Sequence, residues 1–143
     1  MKKLYSLALV ALTLSLGACS KKEEAAPAPT TTALSATING AQQVPANSSA
    51  ATGTFVGSYD SGNKLLTYKV TYQGVTPSIA HIHIGAPGMA GPVAIPFANL
   101  ASPITGTVTL TADQADNLLS NKMYVNMHSS AYANGEIRGD IHK

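Results

Sequence analysis

The sequence predicts an all-β protein: an antiparallel, Greek-key-like β-sandwich or flattened barrel of about seven or eight strands, with one short helix near residues 112–119. Three observations predict this fold class. Apolar and polar residues alternate with period two over most of the chain after residue 33, as in strands that bury one face. Clusters of Gly, Pro, Asn and Asp separate these segments as turns. A single segment departs from the alternation and has helical features.

The clearest strand covers residues 66–73, where Leu, Tyr, Val and Tyr alternate with Thr, Lys, Thr and Gln. The turn sequence DSGN at 60–63 predicts a hairpin between this strand and the one before it. Along the chain, strands are expected at residues 34–39, 53–59, 66–73, 79–84, 93–97, 104–110, 122–128 and 135–141. The side chains expected to point inward are Phe55, Tyr68, Val70, Val108 and Leu110.

The helix is predicted from its ends. Thr111 can cap its N-terminus, acidic residues follow in the first turn, and Leu118 and Leu119 come at its end. One or two helical turns fit between the neighbouring strands, so the segment interrupts the β pattern without changing the fold class.

The N-terminal residues predict export and lipidation. Two lysines precede an apolar stretch over residues 4–15, which is too short for a comfortable membrane span. The following LGAC, ending at Cys19, resembles a bacterial lipobox. We therefore expect residues 1–18 to be a lipoprotein signal peptide, residues 19–33 to be the lipidated Cys19 and a flexible linker, and residues 34–143 to form one domain. The expected location is the cell envelope, with the lipid in the membrane. Ser20 after the Cys favours the outer membrane.

The composition argues against nucleic-acid binding and rules out an intrachain disulfide. Without Lys2 and Lys3, the remaining seven Lys and Arg residues balance the seven Asp and Glu residues. A neutral surface without a basic cluster argues against nucleic acid as a partner. Cys19 is the sole cysteine, so an intrachain disulfide is impossible. The exported domain must therefore be stabilised by core packing, a metal ion or both.

Three of the four histidines fall on two predicted strands. His81 and His83 share one face of the strand at 79–84, and Tyr124, Asn126 and His128 share the polar face of the strand at 122–128. Strand residues two apart are roughly 6.6 Å apart along the chain, a gap across which two imidazoles can bind one ion. If the two faces meet, the three histidines form a metal site, and neutral imidazoles suit copper or zinc.

Other interpretations stay open. His81 and His83 can equally be two polar residues on a solvated face without any ligand. His142, Met89 and Met127 are additional candidate copper ligands, although a terminal His is usually solvated and Met usually fills a core or loop.

Several motifs argue against catalysis. The loop GAPGMAGP at 85–92 lacks the Lys and the helix of a phosphate-binding loop, so it predicts a tight turn beside the histidines. The chain has no G-x-S-x-G nucleophile motif. Glu136, Arg138 and Asp140 alternate along one strand and predict an ion-paired ladder on the surface. The sequence thus favours a binding protein over an enzyme.

Three segments together resemble the CHRD domain, a family first named from chordin and common in bacterial exported proteins. They are SATINGAQQVPA at 35–46, AHIHIGAPGMAGPV at 80–93 and YVNMHSSAYANGEIRGDI at 124–141. The resemblance covers residues 34–141 and implies a β-sandwich. The His-x-His strand and later His are also similar to the copper strand of Cu/Zn superoxide dismutase. The chain lacks that enzyme's cysteine pair and zinc loop, which leaves dismutase activity in doubt.

The leading hypothesis is therefore a lipid-anchored, single-domain envelope protein that binds one transition-metal ion, copper in preference to zinc, through His81, His83 and His128. Tyr124 and Asn126 are expected to orient an imidazole or a bound water rather than to bind the ion. An alternative is a metal-free adhesion or interaction module at the cell surface, with another envelope protein as partner. A further alternative is an oxidoreductase with an open copper position.

Overall fold

The computed structural model describes residues 28–143, so the predicted signal peptide and Cys19 lie outside the described residues. The described part contains eight strands, one 3-10 helix and one α-helix. The strands are β1 (Thr31–Asn39), β2 (Thr52–Asp60), β3 (Leu65–Gln73), β4 (Ile79–Ile84), β5 (Val93–Pro96), β6 (Ile104–Thr109), β7 (Met123–His128) and β8 (Ile137–Asp140). The 3-10 helix covers Gly40–Gln42, and α1 covers Ala112–Leu119.

All eight strands belong to one sheet in the order β5-β4-β7-β8-β1-β2-β3-β6, and every paired neighbour is antiparallel. β1 and β8 join the two halves of the sheet through the pair Asn39 and Arg138. The sheet curls, so Phe97 after β5 meets Tyr68 on β3 at 5.2 Å between ring centroids. The edge strands β5 and β6, at opposite ends of the strand order, consequently line one cleft. The predicted fold class is confirmed.

The core fills the concave side of this curled sheet. Phe55, Tyr68, Val70 and Leu110 are buried as predicted. Val108 is only half-buried and packs against the edge of the core. Burying such side chains contributes roughly 1.5–3 kcal/mol each, so the core supplies the main driving force for folding.

The helix also forms where the sequence predicts it. The Thr111 hydroxyl accepts from the Gln114 N–H at 3.2 Å, and the Gln114 side chain accepts from the Thr111 N–H at 2.9 Å, which makes a capping box. Leu118 is fully buried in the core. Gln114 also donates to the Ala94 carbonyl of β5 at 3.3 Å, so the helix is tied to one edge of the sheet. Within residues 28–143, no helix is long and apolar enough to cross a membrane.

The convex side of the sheet differs between its two halves. On β2, β3 and β6, the outward side chains are mainly Thr, Ser and Lys, and most are exposed. On β4, β7 and β8, the outward side chains are covered by three loops, at residues 40–47, 85–92 and 129–136. The predicted metal ligands lie beneath these loops.

Candidate metal centre

The pairing of β4 with β7 brings the predicted residues onto one face. His83 lies opposite Tyr124, His81 opposite Asn126, and Ile79 opposite His128. Side chains directly opposite one another in an antiparallel pair point to the same face. The residues between them, such as Ile82 and Val125, point to the core and are fully buried.

The three imidazoles converge. His83 Nε2 is 3.2 Å from His81 Nδ1, and the His81 ring lies 5.1 Å from the His83 ring and 5.3 Å from the His128 ring. One nitrogen from each ring lies within 4.8 Å of the others. Two nitrogens bound to one zinc or copper ion are at most about 4.1 Å apart. The widest pair must therefore close by several tenths of an ångström to hold a common ion, a distance within reach of small side-chain rotations.

The loop at 85–92 sets the tautomer of His83. Its Nδ1 lies 2.9 Å from the Gly91 carbonyl oxygen. Because a carbonyl can only accept, Nδ1 carries the proton and Nε2 presents a lone pair to the cluster. His81 Nδ1 then donates to His83 Nε2 when no ion is bound, since two lone pairs at this separation would repel.

His128 is oriented in the same manner from the other side. Its Nδ1 donates to the Ala133 carbonyl at 2.8 Å, which leaves Nε2 as the acceptor. The Asn126 amide Nδ2 donates to that Nε2 at 3.2 Å. Asn126 Oδ1 in turn accepts from the Gln43 amide at 2.5 Å. Asn126 thus occupies the lone pair that an ion would use, while the Ala133 carbonyl orients the ring.

Tyr124 supports His83 directly. The two rings are stacked, 4.8 Å apart with an interplanar angle of 6°. The Tyr124 hydroxyl accepts from the Gly91 N–H at 3.1 Å, so one loop residue contacts both aromatic side chains. A Cβ at Gly91 would collide with the Ile84 carbonyl, so glycine permits the loop to lie flat against β4. The loop forms one wall of the site, as its sequence suggested.

The predicted surface ladder on β8 is wrong. Arg138 is 1% exposed, and Glu136 is also buried. Arg138 forms an ion pair with Asp140 at 2.8 Å, whereas the Glu136 carboxylate accepts from the Ser49 hydroxyl at 2.7 Å. Alternation along a strand predicts which residues share a face, but it does not predict that loops cover that face. This pairing of Arg138 with Asp140 is therefore a buried contact of the site.

The imidazoles lie in a partly desolvated environment. His81 is 7% and His83 is 8% exposed, and His128 is half-buried. Burial lowers the pKa of His81 below its usual 6.5, and the neighbouring His83 and His128 lower it further. Burial also lowers the pKa of His83; the hydrogen bond to Gly91 opposes this, while His128 and Arg138 add to it. Both rings therefore keep their lone pairs to a lower pH than a free imidazole.

The structure thus brings together five of the residues that the sequence singled out: His81, His83, Tyr124, Asn126 and His128. The alternative interpretation of His81 and His83, two polar residues on a solvated face, is wrong because the loops bury both side chains. His142 is exposed, pairs with Ser35 through its backbone and lies outside the histidine cluster. Met127 is fully buried on the core side, and the Met89 side chain is exposed at the loop tip.

Sequence reasoning missed the groups that orient the rings. Two of them are backbone carbonyls, of Gly91 and Ala133, for which no side-chain pattern exists. Gln43 and Arg138 were also missed as parts of the site, because each comes from a segment distant in sequence from the residue it contacts. Both residues lie within the CHRD-like segments, Gln43 in 35–46 and Arg138 in 124–141, and that resemblance was the available signal for them.

The comparisons with known proteins agree with this architecture. A family model described as the CHRD domain matches residues 34–141, which include β1 from Leu34 onward, all of the other seven strands and the three clustered histidines. No curated protein and no solved structure matches the chain. The family match covers well over half of the sequence, and its span coincides with the curled antiparallel sheet described above. The chain belongs to the CHRD domain family.

Proposed function

We propose that this protein is a lipid-anchored envelope protein whose CHRD domain binds one transition-metal ion, copper in preference to zinc, through His81, His83 and His128. The observation that carries the proposal is the approach of three imidazole nitrogens to within 4.8 Å of one another on a buried sheet face. Burying three polar rings together is unfavourable unless hydrogen bonds or a shared ion satisfy them.

The ligand set favours borderline metals. The described cluster contains three imidazoles, and no carboxylate or thiol is part of it. Neutral nitrogen ligands suit copper and zinc, whereas magnesium and calcium prefer oxygen. Among divalent ions, nitrogen sites generally bind Cu(II) more tightly than Zn(II). Three protein ligands leave a coordination position for water or a partner's side chain.

Two hydrogen bonds of the metal-free site compete with the ion. The proton shared between His81 and His83 must leave their facing nitrogens, and the Asn126 amide must release His128 Nε2. The Tyr124 stack and the Gly91 and Ala133 carbonyls need not change. Binding is therefore expected to move the His81 proton from Nδ1 to Nε2, with no net loss from the neutral ring, and to rearrange mainly His81 and Asn126.

Calorimetric titration of the full chain, purified in detergent, with Cu(II) and Zn(II) tests this. Loss of any one ligand by His81→Ala, His83→Ala or His128→Ala should remove most of the affinity, and a second loss should add little. His142→Ala is the matched control, because that histidine is exposed and outside the cluster. Equal, micromolar-or-weaker binding in the parent and in the triple variant would contradict the metal site and favour a metal-free interaction module.

The anchor is a separate part of the proposal and rests on the lipobox resemblance at Cys19. A multiply acylated cysteine would hold the domain at the membrane, because each buried methylene contributes about 0.8 kcal/mol. Cys19→Ser should abolish lipid labelling and release the protein from the membrane fraction. A stable membrane-bound form of that variant would overturn the anchor while leaving the metal proposal intact.

A further inference from the structure

Arg138 is a buried charge on the same sheet face as the histidines. Arg138 is 1% exposed, and it lies opposite Asn126 where β8 pairs with β7. Removing a guanidinium from water is costly unless every donor finds a partner. The partners that Arg138 uses therefore indicate what the buried charge accomplishes.

Arg138 makes four hydrogen bonds, to two kinds of partner. Nε and Nη2 both donate to Asp140 Oδ1, at 3.0 and 2.8 Å, which holds the guanidinium plane in place. Nη1 donates to the Met89 carbonyl at 2.9 Å, and Nη2 donates to the Ala86 carbonyl at 3.2 Å. The loop at 85–92 is thus bound by its backbone, at two points, to one side chain of β8.

The same guanidinium also contacts the ring that stacks on His83. Its Cζ lies 3.6 Å from the centroid of the Tyr124 ring, a cation–π contact. Tyr124 lies against His83 and accepts from the Gly91 N–H. Arg138 therefore reaches His83 by two routes, one through the loop backbone to the Gly91 carbonyl and one through the Tyr124 ring.

We propose that Arg138 is a positioning residue: by binding the loop carbonyls and the Tyr124 ring, it holds the Gly91 carbonyl against His83 Nδ1 and keeps His83 Nε2 directed at the cluster. Its effect on metal affinity rests on the proposed function, whereas its effect on the His83 tautomer does not. Lysine cannot replace it, because a single ammonium cannot bind two carbonyls and a carboxylate in the geometry of a planar guanidinium.

The tautomer is measurable without any metal. Long-range ¹H–¹⁵N correlation spectra of the full chain in detergent, with chelator and at about pH 8, where an ordinary histidine is neutral, distinguish Nδ1–H from Nε2–H rings. In the parent, His83 should be the Nδ1–H form. Arg138→Met with Asp140→Asn removes the guanidinium and the carboxylate it would leave unpaired. We expect His83 in this double variant to become a mixture of tautomers.

Two further variants separate positioning from general destabilisation. Tyr124→Phe deletes only the hydroxyl that Gly91 binds, and it should shift the His83 tautomer in the same direction but less. Lys69→Met removes an exposed positive charge on the other half of the sheet and should leave the tautomer unchanged. Should the double variant fail to fold, Arg138→Lys still decides: it keeps a positive charge beside Asp140 but cannot bind both loop carbonyls, so an unaltered His83 spectrum there would overturn the inference.

Metal titration completes the test. If the proposed function holds, the double variant should bind Cu(II) about 10–100-fold more weakly, as is typical when groups behind a ligand are removed. A folded double variant with the parent's His83 tautomer would overturn the inference even if the parent binds copper. An altered tautomer in a protein that binds no metal would support the positioning role and contradict the proposed function instead.

Discussion

Two rows of side chains, each running across three strands on the convex side of the same sheet, differ in their surroundings. Val56, Lys69 and Thr105 lie side by side on β2, β3 and β6, and all three are exposed. The corresponding row on β4, β7 and β8 consists of a histidine, an asparagine and an arginine, and it is buried. Both rows alternate with core residues, so their patterns in sequence are alike.

The difference lies in the loops. The buried row, His81, Asn126 and Arg138, is covered by loops that supply backbone carbonyls and amide side chains as partners. The exposed row is covered by no loop of the described residues and lies open to solvent. A polar residue on a strand therefore predicts a face directed away from the core, but the connections decide whether that face is solvent or a site. The predictions below test this difference, from the largest expected effect to the smallest.

Replacing the one cation of each row, Arg138 or Lys69, is expected to give the largest difference in stability between the two rows. Arg138→Gln leaves the largely desolvated Asp140 carboxylate without its partner, and we expect it to lower the free energy of unfolding by about 3 kcal/mol, at the lower end of the cost of breaking a buried pair. Lys69→Gln removes an exposed charge and should change it by less than about 0.5 kcal/mol. Urea unfolding of both variants measures the contrast. Similar, small effects would mean that the covered face is effectively solvated.

The two amides give an intermediate effect. Asn126→Ala removes the acceptor of the buried Gln43 amide, and we expect it to destabilise the protein by about 1–3 kcal/mol. Because it also frees His128 Nε2, Cu(II) should bind more rapidly than in the parent, measured by stopped-flow. Gln73→Ala, an exposed amide on β3, should alter neither property. Slower copper binding in the Asn126 variant would show that this amide assists the ion instead of competing with it.

The smallest expected effect is the change of the free energy of unfolding with pH. Burial lowers the pKa values of His81 and His83 in the folded protein, so the unfolded protein binds more protons below about pH 6.5. The free energy of unfolding of the metal-free protein should therefore fall as the pH decreases through 6.5, and level off only below the lowered pKa values. His81→Gln with His83→Gln should flatten this dependence. Urea midpoints between pH 7.5 and about 5 test it, and an unchanged slope would contradict the burial of these rings.

Much of the fold followed from local patterns. The strand at 66–73 was predictable because alternation with period two places one face in the core, and α1 was predictable because Thr111 can cap it and acidic residues follow in the first turn. The pairing of His81 with His83 followed in the same way, from a spacing of two along one strand. That His128 would join them was a hypothesis, since the sequence does not state which strands are neighbours.

By itself, then, the sequence determined the alternation of faces, the strand and helix positions, and the residue types capable of binding a metal. Only the tertiary structure decided that β4 pairs with β7, that three loops bury their convex face, and that Arg138 binds loop carbonyls in place of water. The physical reason is the range of the interactions. Strand alternation and helix capping depend on residues a few positions apart. Burial and hydrogen bonding here join distant parts of the chain, such as Gln43 and Asn126, which are separated by 83 positions.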